Sequence, residues 1–370
     1  MEIGLDQILV EPYASSFRGK RLGLVTNSSS FDTKFASSVS LFHEYYDLRV
    51  LYAPEHGLDG SAAAGQSIGD KRDPVTALPI RSLYQGEQSS LDASLFADID
   101  LLVFDMQDVG LRFYTYITTL EQLMHVGIPL VVLDRPNPLG GEVVEGPMLD
   151  AKHASFVGLE GLVVRYGLSI GELACFLNGE RKIGCDLQII PLQGWKRNRR
   201  WEDLKRPWIM TSPAIAHAHT IELYAGFCLL EGTNLSEGRG TSAPFELFGA
   251  PFIDAHQLSK GVGKLNLAGV CFTPITFVPS ASKFQGEVCH GLYAHVTDSH
   301  RFRPFETALS VLSFIWEQYP DTLTFNASFA RLAGFAEQEI QSQYVQATLE
   351  HIEQETQAFA HMKRSYELYA

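Results

Sequence analysis

Short apolar runs alternate with helix-length segments through the first half of the chain. Four runs share this character: residues 22–26, 48–52, 101–104 and 129–133. Such short, mostly apolar runs are typical of strands that are buried on both faces of a parallel sheet. The segments 37–46 and 118–126 between them have the length of helices. The alternation therefore predicts a doubly wound α/β domain.

The pattern changes near residue 215. Before it, Ser169 and Glu172 have the spacing of a capping box, which predicts the start of a helix, and residues 187–192 form the next predicted strand. After it, the predicted elements are mixed: strands at 272–278 and 291–296, and helices at 305–319 and 337–369. We therefore predict an α/β domain over residues 1–215 and a smaller α+β domain over residues 216–370.

The composition excludes several functional classes. Among 370 residues, 45% are hydrophobic and the formal net charge is −14, which indicates a folded protein that repels nucleic acid. No run of about 18 apolar residues occurs, so we expect no membrane partner. The five cysteines form no C-x-x-C pair, and the first ten residues carry Glu2 and Asp6 without a long apolar run. We therefore expect reduced thiols, no secretory signal and a cytoplasmic location.

Polar residues follow all of the predicted parallel strands of the first half. They are Asn27, Glu55, His56, Asp105, Gln107, Asp108, Asp134, Arg135 and Asn137. Ligands of open parallel sheets bind beyond the carboxyl ends of the strands. Caps and turns explain any one of these positions, but charged residues at several adjoining strand ends favour a binding site.

Glu55, His56 and Gly57 form the sharpest local group. A Glu at a strand end can act as a general acid when it is partly desolvated. The neighbouring His is suited to bind a sugar hydroxyl or to set the protonation of the Glu. A turn with a surface Glu is the structural alternative.

The segment that leads from Asp105 to Tyr116 combines acidic groups, an amide, Arg112, Tyr114 and Tyr116. Carboxylates accept hydrogen bonds from hydroxyls, an Arg fork binds a carboxylate, and aromatic rings stack on sugar faces. This combination predicts a ligand that is both polyhydroxylated and acidic. The alternative is a buried Asp–Arg pair that orders the loop.

A second polar loop spans residues 231–241. It contains four polar side chains of interest: Glu231, Asn234, Glu237 and Arg239. Its glycines at 232, 238 and 240 indicate special backbone dihedrals, as in functional loops. With Glu145, the chain supplies several carboxylates, and glycoside hydrolysis needs a pair of them across a cleft.

Other motifs carry less weight. No G-x-G-x-x-G follows a predicted strand and no P-loop is present, so no nucleotide cofactor is expected. His217 and His219 share a strand-like spacing but lack a third ligand, so we expect no metal. The basic, Trp-rich segment 195–201 is interpreted either as a patch that contacts glycan or nucleic acid, or as a solvated loop anchored by one Trp.

Taken together, these motifs resemble the exo-β-N-acetylmuramidase (NamZ-type) glycosidase family. The matching segments, from about residue 20 to about residue 300, are LVTN (24–27), APEHG (53–57), VFDMQDVG (103–110), RFYTY (112–116), LDRPNP (133–138), EGP (145–147), EGTN (231–234) and SEGRGT (236–241). The resemblance implies a Rossmann-like amino-terminal domain that holds much of the site and a smaller carboxyl-terminal domain that closes it. It also implies removal of terminal β-1,4-linked N-acetylmuramic acid from the non-reducing end of peptidoglycan fragments.

The resemblance further implies that Glu55 is the catalytic carboxylate. Glu145 and Glu231 are the leading candidates for the second one, with Glu237 and Asp134 behind them. Two carboxyl groups suffice for this chemistry, so no cofactor is expected, and the substrate's own acetamido group is an alternative nucleophile.

We therefore predict an exo-acting glycosidase of cell-wall turnover whose partners are small peptidoglycan-derived saccharides. Arg112 or Arg239 would hold the lactyl carboxylate of the sugar, and Tyr114 and Tyr116 would shape the pocket. The alternatives are an exo-glycosidase with another amino-sugar specificity and a non-catalytic muropeptide-binding protein.

Overall fold

The computed structural model describes residues 1–55, 57–58, 71–83 and 91–370. Within these ranges the strands are β1 Leu22–Thr26, β2 Leu48–Ala53, β3 Lys71–Arg72, β4 Pro79–Ser82, β5 Leu101–Asp105, β6 Leu130–Leu133, β7 Leu187–Ile190, β8 Leu247–Ala250, β9 Val270–Phe277 and β10 Cys289–Val296. The α-helices are α1 Ser38–Tyr45, α2 Tyr116–Met124, α3 Ile170–Glu180, α4 Ala218–Phe227, α5 Ala255–Val262, α6 Pro304–Gln318, α7 Ala327–Ala333 and α8 Ser342–Met362. Short 3-10 helices cover Gly4–Gln7, Tyr13–Ser16, Ala93–Phe96, Ala151–His153, Trp201–Leu204, Cys228–Gly232, Gly263–Leu265, Glu337–Ile340 and Lys363–Tyr366.

The larger sheet has the strand order β3-β4-β2-β1-β5-β6-β7. Its pairings are parallel except that of β3 with β4, and every residue of the central strand β1 is buried. Apolar side chains on both faces of β1 explain why its sequence does not alternate. The predicted strands of the first half are confirmed, and the sheet is Rossmann-like.

The start of α3 illustrates how local sequence sets an element boundary. The Ser169 hydroxyl accepts a hydrogen bond from the Glu172 amide at 3.1 Å, and the Glu172 carboxylate accepts one from the Ser169 amide at 2.9 Å. This reciprocal arrangement is the predicted capping box, which satisfies two amides at the helix start.

The second half forms a smaller antiparallel sheet with the order β8-β10-β9, together with α4 to α8. The predicted helix 337–369 is divided into α8 and flanking 3-10 helices. One continuous apolar core includes Phe104 and Leu120 from the first half and Phe227 and Leu312 from the second. Ile215, at the predicted domain boundary, is 1% exposed and belongs to that core. The α/β class with a smaller α+β part is thus confirmed.

The carboxyl-terminal residues return to the larger sheet. The Lys363 ammonium donates to the carbonyls of Gly141 and Gly167 at 3.1 and 3.2 Å, and the Tyr369 hydroxyl donates to the Asp134 carboxylate. The last turn of the chain therefore covers the carboxyl end of β6. None of the helices in the described ranges combines the length and apolarity that a membrane crossing requires.

Candidate active site

A cavity of about 530 Å³ lies between the Rossmann-like part and the smaller part. Its lining residues are Glu55, Phe113, Tyr114, Thr115, Val157, Ser212, Pro213, Ala214, Ile215, Tyr224, Cys228, Glu231, Arg239, Phe245, Ala281, Ser282 and Leu332. Both halves of the chain contribute apolar surface and at least one carboxylate. A concave site of this size with a few convergent polar groups is suited to bind a small ligand.

Glu55 follows the carboxyl end of β2 and lines this pocket. It is 8% exposed, and its Oε2 accepts a hydrogen bond of 2.7 Å from the Thr115 hydroxyl. Thr115 directly precedes α2, so the loop after β5 brings this hydroxyl to the end of β2. His56, the other residue of the predicted group, lies outside the described residues.

Tyr114 and Tyr116 are both anchored to Thr211. The Tyr114 hydroxyl lies 2.7 Å from the Thr211 hydroxyl, and the Tyr116 hydroxyl donates to the Thr211 carbonyl at 2.6 Å. The two rings meet edge to face at 4.7 Å. Tyr114 lines the pocket, whereas Tyr116 lies behind it. Burial raises the pKa of Tyr114 to about 12, so its hydroxyl stays protonated.

A charged cluster from the second half of the chain includes two pocket-lining residues, Glu231 and Arg239. The Arg239 guanidinium donates to Glu231 Oε1 from Nη2 at 2.6 Å and from Nε at 3.1 Å, and Nε also lies 3.5 Å from Glu237 Oε1. The Lys283 ammonium lies 3.0 Å from Glu237 Oε2. Two carboxylates and two cations thus balance one another, and the Glu231 side chain remains 29% exposed toward the pocket.

Burial and neighbouring charges set the protonation states of Arg239 and Cys228 in this cluster. Burial lowers the pKa of Arg239, but Glu231, Tyr224 and Glu237 together outweigh burial and leave that pKa raised. Burial raises the pKa of Cys228 well above its ordinary value, so the Cys228 thiol, 3.9 Å from Glu231 Oε2, is not a thiolate.

Most predicted strand-end residues are engaged within the protein and do not line the pocket. Arg135 forms a two-pronged ion pair with Asp105, at 2.6 and 2.9 Å, in which both side chains are buried. The Gln107 amide donates to the carbonyls of Asp108 and Pro136 at 2.8 and 2.9 Å. The buried Asp–Arg pair that orders the loop is therefore present, with Arg135 in place of Arg112.

Asn27, Asp108 and Asn137 have similar structural contacts. The Asn27 amide donates to the Tyr116 hydroxyl at 2.7 Å, and the Asn137 amide donates to the Leu168 carbonyl at 2.9 Å. Asp108 accepts from the Gly110 amide at 2.7 Å and from the Tyr166 hydroxyl. Burial raises the pKa of Asp108 to about 6.

Arg112 is fully buried and lies away from the pocket lining. Its guanidinium donates to the carbonyls of Pro147, Leu162 and Leu332 at 2.6, 2.9 and 2.7 Å. These bonds join the two halves of the chain and occupy Nη1 and Nη2. The structure therefore places Arg112 where it holds main chain, not where a ligand carboxylate would reach it.

Asp134 and Glu145 are buried against helix starts. Asp134 accepts from the Gly171 amide at 2.7 Å and the Ser169 hydroxyl at 2.8 Å, at the start of α3. Glu145 Oε1 accepts from the Phe305 amide at 2.8 Å in the first turn of α6. Burial raises the pKa of each carboxyl to about 7. Neither of them lines the pocket.

The remaining candidates from the sequence, Asn234, His217 and His219, do not line the pocket. Asn234 pairs with the main chain of Thr322 and Thr324 at 2.9 and 3.0 Å. His217 and His219 stack with 5.4 Å between ring centres, and His219 Nε2 lies 2.9 Å from Glu246. Within the described ranges, no group of three or more His, Cys, Asp or Glu side chains has the arrangement of a metal site.

The basic segment 195–201 is largely structural. Trp195 and Trp201 are buried, at 4% and 7% exposure. Arg197 forms an ion pair of 2.6 Å with Glu172, and Arg200 pairs with Glu222. Both tryptophans, not only one, therefore anchor this loop.

Several pocket residues escaped the sequence reasoning. Thr115 lies inside the RFYTY motif between the two tyrosines that were singled out, and Ser212 lies just before the predicted domain boundary near residue 215. Phe245 and Ser282 line the pocket with left-handed backbone, at φ 64° and 68°. Such backbone at non-glycine residues concentrates at functional sites, but nothing in a single sequence marks it.

Fold and site together define a two-part α/β protein whose pocket is lined by one carboxylate from each half of the chain, and glycosidases use a pair of carboxylates. The chain belongs to the exo-β-N-acetylmuramidase NamZ family: sequence models of its amino-terminal and carboxyl-terminal domains match residues 22–219 and 222–369. The peptidoglycan β-N-acetylmuramidase NamZ of Bacillus subtilis (strain 168) is 42% identical over 342 residues, which are 90% of this chain and 82% of that protein.

Two crystal structures share the fold. Both are DUF1343 family proteins from Bacteroides fragilis NCTC 9343. One superposes with a TM-score of 0.91 at 31% identity, covering 100% of this chain and 99% of the other. The second has a TM-score of 0.76 at 26% identity, with 100% and 98% covered.

Proposed function

We propose that this chain is a glycoside hydrolase that releases β-1,4-linked N-acetylmuramic acid from the non-reducing end of peptidoglycan fragments. Membership of the NamZ family and the close relationship to a peptidoglycan β-N-acetylmuramidase support this activity. The observation that carries it is the pocket in which Glu55 and Glu231 stand on walls from different halves of the chain. A terminal sugar held between those walls would meet both carboxylates.

Glu55 is the proposed general acid. As the bond between the anomeric carbon and the glycosidic oxygen breaks, the Glu55 carboxyl gives its proton to the leaving oxygen. A water molecule supplies the hydroxyl that the anomeric carbon gains, and its remaining proton returns the Glu55 carboxylate to the acid form. The overall reaction consumes one water and needs no redox partner.

Glu231 is the proposed second carboxylate, because it lines the pocket whereas Glu145, Glu237 and Asp134 do not. Its two hydrogen bonds from Arg239 fix the orientation of its carboxylate in the pocket. An anion at this wall would stabilise the positive charge that develops on the sugar ring.

Arg239 is the proposed ligand of the lactyl carboxylate. Its Nη2 and Nε atoms face Glu231, and its Nη1 atom makes no hydrogen bond to the described residues. A guanidinium that keeps a free edge in a pocket is suited to bind a carboxylate. The apolar residues Phe113, Tyr224 and Phe245 line the same cavity and would pack on the sugar.

Product analysis tests this function. Purified protein is incubated with the disaccharide that carries N-acetylmuramic acid at its non-reducing end, and with the reverse disaccharide that carries N-acetylglucosamine there. We expect free N-acetylmuramic acid from the first substrate and only a residual rate of cleavage of the second. Cleavage of both substrates alike would contradict the muramyl specificity, and binding without cleavage would contradict the enzymatic activity.

We also propose that the protein acts in the cytoplasm, on wall fragments that have been taken up. All five cysteines are unpaired, as is usual in a reducing compartment. Cell fractionation of the native host tests this location: recovery of the protein with a cytoplasmic marker enzyme is expected, and recovery outside the cell membrane would contradict it.

A further inference from the structure

Thr115 occupies a helix-start position but does not behave as a cap. It directly precedes α2, where a Thr ordinarily adopts extended backbone and accepts a hydrogen bond from an amide of the first turn. Here its backbone is helical, with φ −66° and ψ −13°, and its side chain makes no capping bond. The hydroxyl donates instead to Glu55 Oε2 at 2.7 Å, across 60 positions of sequence.

The surroundings of Thr115 hold it rigidly. Its carbonyl accepts from the Thr119 amide at 3.0 Å and from the Thr119 hydroxyl at 3.2 Å. Its neighbours on both sides, Tyr114 and Tyr116, are tied to Thr211. The hydroxyl is therefore presented from a clamped segment of main chain, which limits the directions in which the Glu55 carboxyl can turn.

The bond between Thr115 and Glu55 is also shielded. Each residue is 8% exposed, and both line the pocket. A hydrogen bond that is shielded from water is stronger than an exposed one, because water does not compete for either group. Loss of this donor would leave the carboxyl both less stabilised and freer to rotate.

We propose that Thr115 is a positioning residue of the hydrolysis. Its hydroxyl binds Oε2 of Glu55 instead of capping α2, and this bond orients the Glu55 carboxyl toward the glycosidic oxygen. This inference rests on the proposed role of Glu55. Thr115 acts through Glu55 and needs no contact with the substrate.

The test compares Thr115→Val, which removes the hydroxyl at nearly constant shape, with Thr115→Ser, which keeps it. We expect Thr115→Val to lower kcat on a chromogenic β-N-acetylmuramide about 10- to 100-fold while KM changes less than about threefold. Thr115→Ser restores kcat to within about threefold of the wild type. Thr115→Ala is the second hydroxyl-free variant, and the thermal midpoint of each variant is measured alongside.

Thr220→Val is the matched control. The Thr220 hydroxyl donates to the Glu246 carboxylate at 2.7 Å, as Thr115 does to Glu55, but neither Thr220 nor Glu246 lines the pocket. We expect this variant to retain wild-type kcat. An equal fall in Thr115→Val and Thr220→Val, or failure of Thr115→Ser to restore kcat, would overturn the positioning role.

Glu55→Gln separates this inference from the function on which it rests. In the Glu55→Gln background, Thr115→Val should cause no further loss, because the group it positions is already absent. If Glu55→Gln is inactive while Thr115→Val and Thr115→Ala have wild-type kcat, the inference fails and the proposed function stands. If Glu55→Gln keeps wild-type activity, the proposed role of Glu55 fails, and the positioning role fails with it.

Discussion

Carboxylates occur in two contrasting settings in this protein: buried at the ends of β5 and β6, and lining the pocket. Asp105 ends β5 and Asp134 follows β6. Both are fully buried, Asp105 against Arg135, and Asp134 against the start of α3 and Tyr369. Glu55 and Glu231 line a cavity of about 530 Å³, where the Thr115 hydroxyl donates to Glu55 and the Arg239 guanidinium donates to Glu231. The difference shows that a carboxylate lines the pocket only where the chain's own groups have not already enclosed it.

Replacing the second pocket carboxylate is expected to have the largest effect on activity apart from Glu55 itself. Glu231→Gln should lower kcat about 10³-fold, because the pocket loses the anion that faces the sugar ring. Steady-state kinetics on a chromogenic β-N-acetylmuramide measure this. Glu145→Gln is the control, because Glu145 is buried against the start of α6 and does not line the pocket. This variant should keep kcat within about threefold of the wild type.

A small effect of Glu231→Gln would change the assignment. If kcat fell less than about tenfold, the substrate's own acetamido group, rather than Glu231, would stabilise the charge that develops on the sugar ring. A large fall in Glu145→Gln, with the fold intact, would instead return the catalytic role to that buried carboxyl.

Arg239 offers a test of specificity within the pocket. Arg239→Lys keeps the charge next to Glu231 but loses the planar fork. We expect kcat/KM for a β-N-acetylmuramide to fall about 10- to 100-fold, because the lactyl carboxylate loses a charge-assisted bond. The residual rate on the matching glucosaminide, which has no lactyl group, serves as the internal control and should not fall. Equal losses on both substrates would show that Arg239 acts only through Glu231.

Glu145 provides a stability test of the buried class. Burial raises its pKa from 4.5 to about 7, so the folded state keeps this proton to higher pH than the unfolded chain does. The free energy of unfolding should therefore fall by roughly 1–3 kcal/mol as the pH rises from about 4.5 to about 7. Glu145→Gln, which can still accept from the Phe305 amide, should lose less stability across this window.

Urea unfolding at pH 5 and pH 7 measures the Glu145 effect. Glu306→Gln, an exposed carboxyl in the first turn of the same helix, is the control and should follow the wild type. If the free energy of unfolding fell equally with pH in the wild type and in Glu145→Gln, the raised pKa of Glu145 would not be the cause of the fall.

The smallest expected effect concerns Tyr369. Tyr369→Phe removes the hydroxyl that donates to Asp134 and accepts from the Leu192 amide at 2.9 Å. We expect a loss of about 1–2 kcal/mol in the free energy of unfolding, with kcat unchanged. A fall in kcat at unchanged stability would contradict this, because it would show that the contact between Tyr369 and Asp134 affects the pocket.

The sequence predicted the scaffold better than the site. The apolar runs at β1, β2, β5 and β6 and the Ser169 capping box depend on neighbouring residues, and the structure confirms them. Glu55, Tyr114, Glu231 and Arg239 were named and do line one pocket.

The other candidates could not be sorted from sequence, because the contacts that occupy them come from distant parts of the chain. Asp134 is covered by Tyr369, and Arg112 donates to Leu332, 220 positions away. Thr115 was missed for the same reason, since its partner Glu55 lies on another strand end.

The central claim is that Glu55, which lines the pocket, carries the chemistry while the enclosed carboxylates carry the fold. The most direct test is kcat of Glu55→Gln on a chromogenic β-N-acetylmuramide, beside Glu246→Gln, a carboxylate held by Thr220 outside the pocket. We expect kcat to fall about 10³-fold or more in Glu55→Gln at unchanged thermal midpoint, and to keep its wild-type value in Glu246→Gln. Wild-type kcat in Glu55→Gln would contradict it.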